Sequence, residues 1–495
     1  MSIYRTSGYL YNVAVPSSSF VLSYSPALWL DASDASTLVM DGARTFASAS
    51  SQYLRVASNS TLQNSSNGLA LGLWIKTTSG SDIPYVGKCS SALGSCDYYI
   101  SGALGGAVLF RVRDTALSFF TTTSATVVNN NTWHFILAYH DPTEQKIKIS
   151  VDGGAYTAGT TVTNPLITST ASFNVGSWSD TNGNLNGTVD SVVLLKPPAG
   201  WLASNATALR DYLYNGGSGR RSSDFMASAY YTGGNPSGAV SWWDMDGRSG
   251  NETDRIGSNN LTDNGGVGYA AGVASGLVQY TGDPVKQWSD KSGNARHLIA
   301  PSDAARPTYT TGSQNGLAGL TTDGINDVLG CTNFVKNATA VTIYMVGKRT
   351  SGFPGVVAGY NSSISGGGYV YYANDTTSGI DARPLISGTY GSYKNSRATS
   401  ITASSANVLC GIYSAATGLQ FFHNNTAATP DVFASTNFGG SNFFLVGCVT
   451  ASTANGSDFG AGVFYEVAVF LEEHDATKRN NMIRYLGNKW GITVA

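Results

Sequence analysis

The chain repeats itself, and the repeat limits what it can fold into. Residues 41–54 read DGARTFASASSQYL, and residues 323–329 read DGINDVL. Next come LGLWIKTTSG (71–80) in the first copy and VTIYMVGKRTSG (341–352) in the second, and both alternate apolar with polar residues as half-buried strands do. TWHFILAYHDPTEQKIKISVDGG faces NVLCGIYSAATGLQFFHNN, each a strand, a turn and a strand. SFNVGSW (172–178) matches NFFLVGCV (442–449), and LNGTVDSVVLL (185–195) matches GAGVFYEVAVFL (460–471). The same elements in the same order predict two homologous β-rich bodies.

Each copy closes with a helical pattern. Leu209, Tyr212 and Leu213 fall on one stripe, as do Met482, Tyr485 and Leu486. Ser204 and Asp475 are the expected N-caps, and Gly216 and Gly487 the expected stops. Composition agrees with short strands and polar turns. Of 495 residues only 12% are charged, while 58 are glycine and 14 proline. Aromatic residues at 11% and a net charge of −2 argue against disorder. Without a basic cluster, nucleic acid is not an expected partner. The longest apolar run, GVFYEVAVFL, contains Glu466 and is too short to span a membrane. The start, MSIYRTSGYLYNVAVPSSSF, has no basic segment followed by an apolar stretch, so no secretion leader is expected.

The order of elements resembles the laminin-G-like, concanavalin-A-like jelly-roll family. Such domains open on a Trp-containing strand and a D-x-x-G-N loop and end on G-x-(I/V)-D-x-(V/I) and a helix. SWWDMDGRSGNETDRIGSNNLTD (241–263) resembles one opening, and LWLDASDASTL (28–38) the start of another. The continuation expected after the latter, QWSDKSGNARHL, is delayed to residues 287–298. The resemblance implies an all-β chain of two jelly-roll β-sandwiches. One, residues 41–275, is circularly permuted and inserted in a loop of the other, residues 28–40 plus 276–495. Residues 1–27 form an N-terminal arm. The linear alternative, 28–215 followed by 241–495, gives the second domain two openings. Insertion suits an exposed loop when a domain's ends lie close together.

Catalysis is not expected. Glycosidases on this sandwich use close paired carboxylates, whereas Glu144, Glu252, Glu466, Glu472 and Glu473 are scattered, and Glu466 is expected to be structural. No nucleophile or phosphate-loop motif occurs. Calcium is the candidate ion, since relatives bind it through Asp and Asn side chains with loop carbonyls. The candidate ligands are Asp254 and Asn259, Asp290 and Asn294, and Asp180 with its counterpart Asp458. The rival reading of the same loops is a set of Asx turns. No cofactor is required on either reading.

Glycan binding is the commonest function the resemblance implies. The candidate contacts are Trp178, Tyr369, Tyr371 and Asn374, against the alternative that the tyrosines fill a sandwich core. Cys89 and Cys96 flank CSSALGSC, a spacing open to a disulfide or to two reduced thiols on a hairpin. The N-terminal stretch alternates like an edge strand, either covering its own sheet or adding to a neighbouring subunit.

Taken together, the expected function is a non-enzymatic structural and recognition protein. The expected setting is a bacteriophage virion, as capsid decoration, head fibre or tail protein, with host-surface glycan as ligand. Its partners would be other virion proteins or identical subunits, met through the N-terminal arm. The alternative is a secreted bacterial lectin-like module, and a glycoside hydrolase stands third.

Overall fold

The computed structural model describes residues 18–63, 66–80, 82–90, 95–178, 183–278, 281–352, 355–358, 368–375, 379–387, 393–396, 404–432, 443–450 and 457–495. For Ser18, residues 355–395, 449–450 and 457–458 the description is of the backbone alone. The chain divides into two compact units. Unit one comprises Met1–Met40 with Leu277–Ala495, and unit two comprises Asp41–Gly276. Both are antiparallel sandwiches of the concanavalin-A-like jelly-roll kind.

Unit two faces two sheets together. In one, the strands Thr157–Thr161, Lys146–Val151, Trp133–Asp141, Leu69–Thr77 and Gly187–Leu195 lie in that order. The strand Ala239–Trp243 also pairs with Gly187–Leu195, with Trp242 opposite Val193 and Trp243 opposite Val192. The other sheet has seven strands: Thr262–Asn264, Tyr53–Val56, Phe173–Val175, Pro84–Cys89, Cys96–Gly102, Ala107–Arg113 and Phe119–Val127. Between the sheets lie Leu71, Ile136, Val86, Ile100, Phe110 and Val175, all buried. Alternation along a strand sends neighbouring side chains to opposite faces. Trp243 therefore enters this core and stacks on Phe173 at 5.0 Å. Trp242 enters the layer under the helix Trp201–Tyr214.

Unit one repeats the scheme. Leu28–Asp31 pairs with Ser457–Phe470, with Trp29 opposite Ala468. Leu28 and Leu30 point into the core between the sheets, with Trp288, Ile343 and Phe464. Trp29 points the other way, under the helix Ala476–Trp490, with Tyr344, Met482, Leu486 and Trp490.

The helices differ in detail from the sequence expectation. The first begins at Trp201 with Gly200 as N-cap, so Ser204 lies within it and caps nothing. Its buried stripe is Leu202, Ala206, Leu209 and Leu213, with Tyr212 at the flank. Asp475 does cap the second helix, accepting from Lys478 N at 2.8 Å. That helix runs past Gly487 to Trp490, and Gly491, at φ 65°, ends it. Burying the indole of Trp490 carries it through the extra turn. The described part of the arm corrects the edge-strand expectation. Ser18–Leu22 is helical, Val21 is buried, and Phe20 meets Tyr485 at 5.5 Å.

Candidate functional site

The outer face of the seven-stranded sheet gathers the densest set of recognition-type side chains. On Ala107–Arg113, buried and part-exposed residues alternate, which sends Leu109, Arg111 and Arg113 outward. Antiparallel register then lines up one row across five strands: Asn174, Gly87, Tyr99, Arg111 and Thr121. Gly87 makes the row close. A Cβ there would strike Cβ of Tyr99, so only glycine lets that strand approach.

Tyr99 is the hinge of the set. Its ring stands edge-on to Trp178, with centroids 4.5 Å apart at 87°. Its hydroxyl accepts from Arg111 Nη1 at 2.8 Å. Burial raises the pKa of that hydroxyl above the usual tyrosine value, with Arg111 opposing. Arg111 also donates from Nε to Thr121 Oγ1 at 2.9 Å. Its guanidinium carbon lies 5.7 Å from the Tyr99 centroid and 5.5 Å from that of Phe119. Arg113 lies 4.9 Å from the same Phe119 ring, which is 37% exposed.

Trp178 is seated from three sides. Cys89 and Cys96, cross-strand neighbours, are joined as a disulfide, and the indole packs against it. Trp178 Nε1 donates to Asp82 O at 3.2 Å, and Asn174 Nδ2 donates to Trp178 O at 3.2 Å. Gly183, at φ +66°, lies so close that a Cβ would strike Cδ1 of the indole. The buried Asn174 Oδ1 has no hydrogen-bond partner among the described residues.

The candidate calcium loops are engaged in turns. Asp254 Oδ1 accepts from the backbone N–H groups of Trp242, Ile256 and Gly257 at 3.0–3.1 Å, and Oδ2 from that of Asn259 at 2.9 Å. Asp290 does the same in unit one. Its Oδ1 accepts from Trp29 N at 3.0 Å and Ser292 N at 2.8 Å, and its Oδ2 from Arg296 N at 3.1 Å. Asn259 Nδ2 donates to Ser241 Oγ at 2.8 Å, and Asn294 Nδ2 donates to Pro26 O at 3.1 Å. Each Asp thus ties its loop to the amide of the opening tryptophan. Among the described residues, no group of three or more His, Cys, Asp or Glu side chains is placed to hold a metal ion.

Trp178 is the one candidate contact from the sequence that this face contains. Tyr369, Tyr371 and Asn374 lie on the strand Gly368–Asp375 of unit one, and their side chains are outside the described residues. The same holds for Asp458, and Asp180 lies outside the described residues altogether. Sequence reading missed Tyr99, Arg111 and Phe119. The R-V-R alternation at 111–113 was the available signal.

The glutamates serve structure. Glu466 accepts from the indoles of Trp29 and Trp490, each at 2.8 Å, and from Lys489 Nζ at 2.7 Å. Burial raises its pKa, with Lys489 opposing. Glu252 is paired with Arg44 at 2.7 Å, and Glu144 with Lys148 at 2.6 Å. Two further charge clusters correspond between the units. Asp31, two residues after Trp29, holds Lys291 at 3.0 Å and Lys489 at 2.7 Å. Asp244, two after Trp242, lies near Arg221 at 3.7 Å and Arg255 at 3.6 Å, with Asp246 completing the group.

Residues 48–197 match the laminin-G-like family described as the concanavalin A-like lectin/glucanases superfamily, and that segment is a domain of this class. No curated protein sequence matches the chain. Among solved structures, laminin α1 domains LG4-5 from mouse share 10% identity, over 88% of this chain and 91% of that one, at a TM-score of 0.26. A putative carbohydrate binding protein from Bacteroides ovatus shares 14%, over 49% and 63%, at 0.34. A heptameric SAP-like pentraxin from Limulus polyphemus shares 10%, over 47% and 95%, at 0.31.

Proposed function

We propose that the chain is a non-enzymatic recognition and structural protein that binds glycan on the outer face of the seven-stranded sheet of unit two. One observation carries this reading: Trp178, Arg111 and Phe119 form an aromatic and cationic strip on that face, linked through the buried Tyr99 by hydrogen bonds and stacking. Sugar rings offer C–H faces to aromatic rings and hydroxyls to fixed donors, and a pre-positioned strip loses little side-chain entropy on binding. The match of residues 48–197 to a lectin and glucanase class supports the same reading. A structural role for Glu144, Glu252 and Glu466 supports the absence of catalysis.

The setting we propose is a bacteriophage virion, as decoration, head fibre or tail protein. The Gly-rich, weakly charged composition supports it. A glycan array probed with the intact chain and with Trp178→Ala tests the binding. Loss of a specific signal in the variant is expected, and an array with no signal for the intact chain ends the reading. Mass spectrometry of purified particles tests the setting. Tight binding by the isolated monomer, without particle incorporation, would favour a secreted lectin-like module instead.

A further inference from the structure

We infer that the ligand of this face is an acidic saccharide whose carboxylate is gripped by Arg111. The inference rests on the glycan reading above and specifies its chemistry. Arg111 has no carboxylate partner among the described residues. Its Nε and one Nη1 proton are committed to Thr121 and Tyr99, and its cation rests between two rings. The remaining N–H groups on the Nη1/Nη2 edge carry no hydrogen bond among the described residues. A guanidinium fixed along one side, with its other edge unbonded, presents the planar fork that matches a carboxylate.

The neighbourhood favours an anion. Arg113 shares the Phe119 ring with Arg111, and Arg55 stands on the same row beside Asn174. Of the nearby acids Asp97 and Asp114 are spent, while Asp82, whose charge reaches Tyr99, is exposed beside Trp178. Asp97 is paired with the buried Lys88 at 2.9 Å, and Asp114 accepts from Ser118 N at 2.8 Å and Asn164 Nδ2 at 2.7 Å. Trp178 and Phe119 lie to either side of Tyr99 and Arg111, so a ring stacked on an aromatic can reach the fork with its acid group.

The test uses the full chain and a panel of uronic- and sialic-acid oligosaccharides, each paired with its methyl ester, with dextran sulfate as a third arm. Calorimetry at physiological salt is the readout. The expected result is an acid that binds at least tenfold more tightly than its ester. Arg111→Gln should lower affinity for the acid at least tenfold and should close the gap between acid and ester. Arg111→Lys, which keeps the charge without the fork, should not restore it. Circular dichroism confirms that both variants fold. Equal binding of acid and ester, or an unaltered Arg111→Gln, overturns the inference while the glycan reading stands. Binding of dextran sulfate but no carboxylate overturns the choice of acid. No saccharide binding at all removes both.

Discussion

Trp29 Nε1 donates to Glu466 Oε1 at 2.8 Å, a bond closed across 437 residues of chain. It ties the opening strand of unit one to the closing strand beneath the last helix, where Trp490 and Lys489 use the other carboxylate oxygen. In unit two, Trp242 occupies the matching place, yet its buried Nε1 has no hydrogen-bond partner among the described residues.

That difference makes the two tryptophans unequal. Trp29→Phe removes a donor from a buried carboxylate and is expected to cost about 2 kcal/mol or more. Trp242→Phe removes a donor that bonds nothing among the described residues, so its cost is expected to stay near about 1 kcal/mol, the loss of packing alone. Glu466→Ala leaves both indole donors without their acceptor, while Lys489 keeps Asp31, and is expected to cost about 2–4 kcal/mol. Urea titrations of the three variants check the ranking, and equal costs for the two tryptophans would contradict it.

Asp41–Gly276, expressed alone, is expected to fold. The strands at its two ends lie against each other, so that a side chain at Gly272 would strike the carbonyl of Gly42. A permuted version should fold as well, with Gly276 joined to Asp41 by a short linker and the chain opened between Gly233 and Gly234. Both of those glycines have open space around them. A cooperative thermal transition and dispersed amide resonances are the expected signs. A chain that stays unfolded in both forms would show that unit two depends on the rest of the protein.

The seat of Trp178 is predicted to be intolerant at Gly183. Gly183→Val places a branched side chain where the indole lies, at a φ that β-branched residues avoid. Glycan affinity should fall tenfold or more, comparable with Trp178→Ala, with little change in melting temperature. Calorimetry alongside thermal denaturation separates the two effects.

Burial holds His140 down to about 4, with the adjacent Asp141 opposing, and neither ring nitrogen has a hydrogen-bond partner among the described residues. In the unfolded chain the ring takes up its proton near 6.5. Unfolding therefore binds a proton throughout that window, and stability is lost as pH falls from about 6.5 to about 4. The loss is at most about 3 kcal/mol. His140→Leu should flatten this part of the stability profile of unit two. An unchanged slope would mean that the ring is protonated in the fold.

The Asp254 and Asp290 oxygens are taken up by backbone N–H groups. Excess EDTA is accordingly expected to leave both glycan binding and melting temperature unchanged. A drop in either on chelation, restored by calcium, would contradict this.

The all-β, two-sandwich architecture was legible because strand alternation and helix stripes are local signals. Asp475 was readable as a cap for the same reason. The helix end was not, because Gly487 looks like a stop until Trp490 is seen to be buried beyond it. The helix at Ser18–Leu22 was hidden too, since docking of Val21, not propensity, sustains five residues of helix. Of the site, Trp178 could be picked out singly as an aromatic in a polar loop. Tyr99, Arg111 and Phe119 become a set only through cross-strand register, and nothing in one dimension reports that Gly87 lets Tyr99 lean across its neighbour.

Unit one secures the Asp after its opening tryptophan with two lysines, whereas unit two uses two arginines at the corresponding place. An ammonium group can give up its proton in strong base and a guanidinium does not. The carboxylate partners raise the pKa of Lys291, with burial opposing, so its contribution persists through neutral pH and fades only as alkali rises past that raised value. The junction behind the opening tryptophan therefore has an alkaline limit in unit one that its counterpart in unit two lacks.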